Sequence, residues 1–442
     1  MSVELVSILV LVVVFLVATL LPVNMGALSL VAAYVVGVYV VAPEDLPGND
    51  LDAVVAGFPG DLFVILAGVT YLFALARDNG TVDWLVDVSV KSVGGRIALI
   101  PWVMFAVTGV LTAFGAVVPA AVAIIAPVAM GFAMRYGIRP LLMGLMVING
   151  ATAGGFSPLS IFGSIANGVV KREDLEGSPL WLFVSSLIFN IVLGLVTFVL
   201  FGGRELLGRM DQGESAAASE ERKAGVARAE GGSGSTLTQT ESVRKRNIAV
   251  TVVGMLGLAI GVLFFELDIG FSAIALACVL SLLSPNLSKS AVSKIAWPTV
   301  LLICGIVTYV SLLENIGTVD WLGEKVATIG APLAAALLIC YIGGVVSAFA
   351  STTGILGTLI PLAVPFLLAG EVGTVGMIIA LCISSSVVDS SPFSTSGALV
   401  VANTPEEHRD GVFRSLMIWG FSMVALAPPV AWLIWVVIPD LF

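Results

Sequence analysis

Gly80-Thr81-Val82-Asp83-Trp84-Leu85 returns unchanged as Gly317-Thr318-Val319-Asp320-Trp321-Leu322, 237 residues further along the chain. A hexapeptide repeated at a matched position is the mark of a duplicated unit. Its surroundings repeat too. Val69-Thr70-Tyr71 pairs with Val307-Thr308-Tyr309, Thr112-Ala113-Phe114 with Ser347-Ala348-Phe349, and Ser157-Pro158-Leu159-Ser160 with Ser391-Pro392-Phe393-Ser394, all at offsets of 234 to 238 residues. The copies occupy residues 1–202 and 247–442. Between them, residues 203–246 are rich in Ser, Ala, Gly, Glu, Arg and Lys, cannot bury enough apolar surface to fold, and read as a flexible linker.

With 58% hydrophobic and 11% charged residues in 442, the chain has more apolar side chain than a water-soluble globule could hide. Lipid is expected to solvate much of it. Apolar runs of 16 to 24 residues recur along its length, close to the roughly 20 residues that carry a helix across about 30 Å of hydrocarbon. Leu5 to Leu21 lacks a basic start and a small-residue cleavage site, so it reads as a retained span. The net charge of −10 decides little, because orientation in a membrane follows Lys and Arg alone. No nucleic-acid partner is expected.

The spans fall at about 4–21, 25–42, 61–77, 140–170 and 179–202, then 247–265, 269–284, 297–314, 373–402 and 411–438. Each copy thus has five, and five is odd, so the second copy enters the membrane from the opposite face and the repeats are inverted. Between the third and fourth span of each copy come a short amphipathic helix, opening with the repeated hexapeptide, and a long apolar hairpin near 97–134 or 330–368. With both termini outside, the basic residues divide 17 inside to 3 outside, the three being Lys171, Arg172 and Lys325. That division obeys the positive-inside rule and places the linker in the cytoplasm of an inner-membrane protein.

The hairpin tips, Ala113-Phe114-Gly115-Ala116-Val117-Val118-Pro119 and Ala348-Phe349-Ala350-Ser351-Thr352-Thr353-Gly354, carry no charge. They read as buried, re-entrant tips, with full crossings as the alternative. The fourth span of each copy is interrupted, by Asn149 to Pro158 and by Ser384 to Pro392, where glycine, proline and hydroxyls break the helical ladder and re-satisfy it. Paired breaks in two inverted halves point to a transporter's binding site; a kinked packing helix with small contact residues is the other reading. No Lys or Arg occurs at 97–134, 140–170 or 326–408. An anion held there relies on half-helix N-termini, backbone N–H groups, hydroxyls and Asn149, with a co-transported cation balancing charge. Asp389 is the one carboxylate inside a hairpin or broken helix. Ionised at mid-depth it costs about 3 kcal/mol, so it is protonated, paired or a cation ligand, or else a structural carboxyl held by the nearby serines. Glu314, Asp83 and Asp320 sit at span edges or on interfacial helices and read as solvated or capping groups. Cys278, Cys304, Cys340 and Cys382 stand singly in apolar runs, and His408 lies in a polar loop. Neither set has metal or catalytic spacing.

At these residues the sequence resembles the ion transporter superfamily, whose members have inverted repeats, re-entrant hairpins and a broken helix in each half. Ser347-Ala348-Phe349-Ala350-Ser351-Thr352-Thr353 is similar to the hairpin motif of the divalent-anion/sodium symporters, with Thr352 where that motif has Asn. The first hairpin has Ala116-Val117-Val118 at the corresponding place. Pro22-Val23-Asn24-Met25-Gly26, Gly57-Phe58-Pro59, Ile100-Pro101-Trp102-Val103-Met104-Phe105 and Gly154-Gly155-Phe156-Ser157-Pro158 resemble bacterial malonate/dicarboxylate carriers. The resemblance implies a secondary transporter of a malonate- or succinate-like dicarboxylate coupled to Na⁺ or H⁺, with elevator-like alternating access. Asn149, Thr152, Ser157, Ser351, Thr352, Thr353, Ser391 and Ser394 are the candidate substrate ligands. Asp389, Ser351, Thr353 and Ser390 are the candidate cation ligands. A cation/proton antiporter or another anion carrier of the superfamily is the rival reading. A channel would need lining groups along a continuous path, and an enzyme would need a His, Cys or carboxylate constellation that is missing. No cofactor is expected beyond the coupling ion. Symport or exchange, and monomer or homodimer, stay open.

Overall fold

Apolar runs that end at glycine, proline or a capping polar residue all fold as helices in the computed structural model, which describes residues 2–21, 23–40, 50–91, 96–209, 234–265, 267–285, 291–318, 321, 332–348, 352–368 and 372–440. No strand occurs among them. The first copy contains α1 (Val3–Leu20), α2 (Met25–Tyr39), α3 (Asp50–Ala56), α4 (Gly60–Asp78), α5 (Thr81–Lys91), α6 (Ile100–Ala113), α7 (Val118–Tyr136), α8 (Pro140–Gly154), α9 (Ile161–Arg172) and α10 (Pro179–Leu200). The second contains α11 (Gly234–Phe265), α12 (Ile269–Leu283), α13 (Trp297–Asn315), α14 (Pro332–Ser347), α15 (Thr352–Leu368), α16 (Thr374–Val387), a 3-10 turn (Val388–Ser390), α17 (Thr395–Asn403) and α18 (Glu406–Trp432).

Local chemistry sets the boundaries. Asn24 caps α2 by accepting from the Gly26 and Ala27 N–H groups, and Asp268 caps α12 by accepting from Phe271, as short polar side chains do at helix starts. The repeated hexapeptide begins with a left-handed glycine in both copies, φ +85° at Gly80 and +73° at Gly317. That conformation stops the preceding helix cheaply only for glycine. In the first copy α5 follows. Most of the second interfacial helix, Ser351 and much of the linker lie outside the described residues. Seven described segments, among them α4, α7, α10, α13 and α16–α17, are long and apolar enough to cross a membrane.

Two expectations shift. Helix α11 starts at Gly234, inside the stretch read as linker, because Gln, Glu, Arg and Lys extend a helix once an apolar span has nucleated it. The breaks are also shorter than expected: α8 runs through Asn149 to Gly154 and α16 through Ser384 to Val387. Thr152 donates to the Ile148 carbonyl at 3.0 Å and Ser384 to Ala380 at 2.6 Å, so these hydroxyls fold back onto their own helix instead of competing with its ladder. The ladder fails only next to Pro158 and Pro392, which carry no N–H.

Packing follows a repeated scheme. Helix α2 packs on α13, and α4 on α12. Glycine makes both contacts close: a Cβ on Gly26 would strike the Leu301 carbonyl, one on Gly305 the Gly26 carbonyl, and one on Gly68 the Gly270 carbonyl. Elsewhere α6 and α10 flank α8, as α14 and α18 flank α16. The copies also cross over, the return arm of the second hairpin, α15, lying on α9, and the second half of the second broken helix, α17, on the first hairpin's α7. The two ends of α4 are marked by ion pairs, Arg172 with Asp61 at 3.8 Å and Lys294 with Asp78 at 2.6 Å.

Candidate substrate and cation site

The two breaks, residues 155–160 and 388–394, are built alike. Ser160 caps α9 by accepting from Gly163 N–H at 3.2 Å, and Ser394 caps α17 by accepting from Gly397 N–H at 3.2 Å. Each serine also donates to the carbonyl three residues back, Ser157 at 2.6 Å and Ser391 at 2.7 Å. It reaches the carbonyl five back as well, Gly155 in one break and Asp389 in the other. The serines thus occupy the carbonyls before each half-helix and cap its first turn, while the aligned peptide dipoles leave partial positive charge at each half-helix N-terminus and partial negative charge at each C-terminus.

Helix α8 touches the 3-10 turn 388–390, and α9 lies along α15. This brings Asn149, the first break, the start of the second hairpin's return arm and the second break into one buried region. Asn149 is 2% exposed and its Nδ2 has no hydrogen-bond partner; Ser164 on α9 and Ser385 on α16 have unpartnered buried hydroxyls as well. Buried polar atoms are nearly always paired, so unpaired donors beside two helix breaks suit a ligand that supplies acceptors. Ser164 and Ser385 escape a sequence reading because neither belongs to a motif that repeats.

Asp389 is 4% exposed. Ser396 Oγ donates to its Oδ2 at 2.8 Å and the Thr352 hydroxyl lies near its carboxylate, whereas the Ser394 proton serves the Asp389 and Ser391 backbone carbonyls. No ion pair involves it among the described residues. Ser396 is the partner of this carboxylate that the sequence did not reveal: its counterpart in the first copy is Phe162, so the repeat gave no signal there. Thr352 pairs with Ser347 at 2.8 Å across the second hairpin, which ties the tip to the carboxylate.

The other candidates divide between binding and support. Ser157 donates to the Ala113 carbonyl at 2.6 Å and accepts from Leu159 N–H, so it clamps the first hairpin tip onto the first break. Ser391 accepts from Phe393 N–H at 3.3 Å, and Ser390 donates to Val387 at 3.0 Å; both serve the turn. Thr152 is spent on its own helix. Thr353 is buried beside Thr352. A separate cavity of about 260 Å³ lies among Phe73, Trp84, Leu111, Phe114 and Met255, whose hydrocarbon lining offers nothing to a carboxylate.

Known transporter families match both halves of the chain. Residues 1–155 match the N-terminal family model of the dicarboxylate carrier protein MatC, and residues 260–441 match the citrate transporter family. Both models describe carboxylate transporters, and between them they span most of the chain. No curated protein matches the carrier. Among solved structures, that of the Alcanivorax borkumensis YdaH transporter, described as having an unusual topology, is similar over 98% of each chain at 13% identity and a TM-score of 0.59. That likeness shows a shared fold. The carrier is a multi-pass membrane protein and not an enzyme.

Proposed function

We propose that the carrier takes a small dicarboxylate, malonate- or succinate-like, across the inner membrane together with Na⁺ or H⁺. The observation that carries this reading is a buried carboxylate bonded by a serine hydroxyl, together with an unpartnered buried amide on α8, the helix that touches the turn holding that carboxylate, in a region without Lys or Arg. An organic anion there needs a cation to balance it, and Asp389 is the group that holds one. Asn149, Ser164 and the half-helix N-termini at Ile161 and Thr395 receive the substrate's carboxylates. The match of residues 1–155 to a dicarboxylate carrier supports a dicarboxylate, and the citrate transporter match over residues 260–441 makes citrate the comparison substrate.

The five-span copies run inverted. The repeated packing scheme supports this, and so do the ion pairs at the two ends of α4, where Arg172 belongs to the outer set and Lys294 to the inner one. The hairpins and broken helices move as one substrate-bearing unit against a scaffold of α2, α4, α12 and α13, in the elevator manner of the superfamily. Uptake of labelled malonate, succinate and citrate by proteoliposomes, in sodium or choline buffer at two pH values, tests the reading. The expected result is dicarboxylate uptake that one of the two cation gradients accelerates. Uptake of none of the three would overturn it, and sodium–proton exchange without anion uptake would favour the antiporter.

A further inference from the structure

Helix α5, which carries the first hexapeptide, has two unlike sides. The helical repeat sets Asp83 and Asp87 on one of them and Val82, Trp84 and Leu85 on the other. The apolar side covers the cavity of about 260 Å³, which Phe73 on α4, Leu111 and Phe114 on α6, and Val252 and Met255 on α11 close from below. The Thr81 hydroxyl at its edge is spent on Asn79 Oδ1 at 2.6 Å, so the lining offers hydrocarbon. An apolar cavity of about 150 Å³ already takes up benzene. This larger one has room for a longer chain.

The cavity has a charged end and an uncharged end. Asn79 Nδ2, just past the end of α4, donates to Thr251 Oγ1 at 2.7 Å, so Val252 stands level with the end of α4 and the cavity begins beneath that membrane face. Its other end is the first hairpin tip, where Phe114 precedes Gly115 and a Cβ on Gly115 would strike Val69, midway along α4. Cations stand at the near end. Arg77 follows Phe73 by one turn of α4, and Lys245 precedes Val252 by two turns of α11, about 10 Å along the axis. Both are exposed, and both lie on the helix faces that line the cavity. Arg246 is exposed beside Lys245. Arg77 forms no ion pair among the described residues. The nearby acids do not cancel this charge: Asp78 pairs with Lys294 at 2.6 Å, and Asp83 and Asp87 face away across α5.

We infer that an anionic phospholipid binds here, from the leaflet on the linker side, with one acyl chain in the cavity beneath α5 and its phosphate between Arg77 and Lys245. A neutral lipid fills the hydrocarbon and leaves the cations unmet. A small carboxylate meets the cations and leaves the cavity empty. An amphiphile with a negative head satisfies both. The chain ends against Phe114, next to the Ala113 carbonyl by which Ser157 clamps the hairpin tip to the first break. Helix α5 is also the covalent joint between α4 and the first hairpin, so the lipid fills the space that this joint leaves open. The site does not depend on which anion the carrier moves.

Trp84 lines the cavity and is 40% exposed, so its fluorescence reports on what enters. The test is quenching by brominated lipids of the purified full-length carrier in dioleoylphosphatidylcholine vesicles, with the Trp84 signal taken as the difference between wild type and Trp84→Phe. The probes are dibrominated phosphatidylglycerol, dibrominated phosphatidylcholine and dibromostearate. Each basic residue at a membrane surface is worth about fivefold in attraction to an anionic lipid. Wild type should therefore bind the phosphatidylglycerol about twentyfold more tightly than the phosphatidylcholine. Arg77→Gln should cut that preference about fivefold, and Arg77→Gln with Lys245→Gln should erase it. Val110→Phe, at a 39% exposed position on the cavity wall, should weaken phosphatidylglycerol binding about fivefold or more by filling the space without touching the charges. Equal quenching by the two phospholipids would make Trp84 an ordinary lipid-facing residue and overturn the inference. A preference that survives removal of both charges, or binding unchanged by Val110→Phe, would overturn it too. Tighter binding of dibromostearate than of phosphatidylglycerol would overturn it by putting a fatty acid in the phospholipid's place.

Discussion

Replacing Asn149 by leucine removes an amide whose Nδ2 has no partner in the folded carrier. Deleting an unsatisfied buried donor costs little stability, so unfolding should move by less than about 1 kcal/mol while the KM for dicarboxylate rises tenfold or more. A variant that unfolds early with normal KM would make Asn149 a packing residue. Asp389→Asn tests the opposite end of the site. The amide is nearly the same shape but carries no charge, so uptake measured against graded sodium at fixed pH, and against pH at fixed sodium, should lose its dependence on the coupling ion. Unchanged curves in both series would end the coupling role. Asp389 was legible in the sequence because a lone acid in an apolar run is costly enough to need a reason. Ser396 was not, since a serine seven residues away in sequence becomes a partner only when the break folds the chain back on itself.

Between elements, the most telling contact joins α9 to α13. Glu173, which follows α9, is half-buried and hydrogen-bonds Glu314 near the end of α13, with Arg172 close by and Arg172 in turn paired with Asp61 at the start of α4. Burial, then the hydrogen bond and negative charge of Glu314, push the Glu173 carboxyl up from its ordinary 4.5 to about 7. The folded carrier therefore holds a proton there that the unfolded chain has released. The stabilisation is full below about pH 4.5 and is lost as pH rises through about 7. Thermal unfolding between pH 5 and 8 should show wild type losing stability with rising pH relative to Glu173→Gln, which keeps a hydrogen-bond donor at every pH. Parallel curves would refute the shared proton. The contact of α2 with α13 makes a different demand. Gly26→Ala puts a methyl against the Leu301 carbonyl, a backbone atom that cannot turn aside, and should cost about 1–3 kcal/mol. Gly131→Ala, with open space around its Cβ position, should be neutral or slightly stabilising. Equal effects in detergent unfolding would mean that the close approach is not needed.

Across the whole molecule, the 17-to-3 division of basic residues predicts orientation. Cysteines introduced at Ser2 and at Arg222 should label from outside and inside respectively in intact cells; labelling at Arg222 from outside would undo the odd span count and with it the inversion. By itself the sequence determined that this is a helical membrane protein and showed a repeated pattern of motifs with a helix interrupted near Pro158 and near Pro392. All of these follow from hydropathy, proline, glycine and a repeated hexapeptide, which act locally along the chain. Even the left-handed glycine that opens each hexapeptide is a local necessity. Only the tertiary structure decided which polar groups are spent and which are free. The hydroxyl protons of Thr152, Ser157 and Ser390 are taken by nearby carbonyls, which leaves those oxygens only lone pairs to offer, whereas Asn149 Nδ2 and the Ser164 and Ser385 hydroxyls are left unpaired. It also decided that the copies differ where they look most alike. Whether Gly155 faces space or hydrocarbon depends on where α7 and α9 place Val118 and Phe162, and such proximity between distant residues is set by helix packing, which no local pattern encodes.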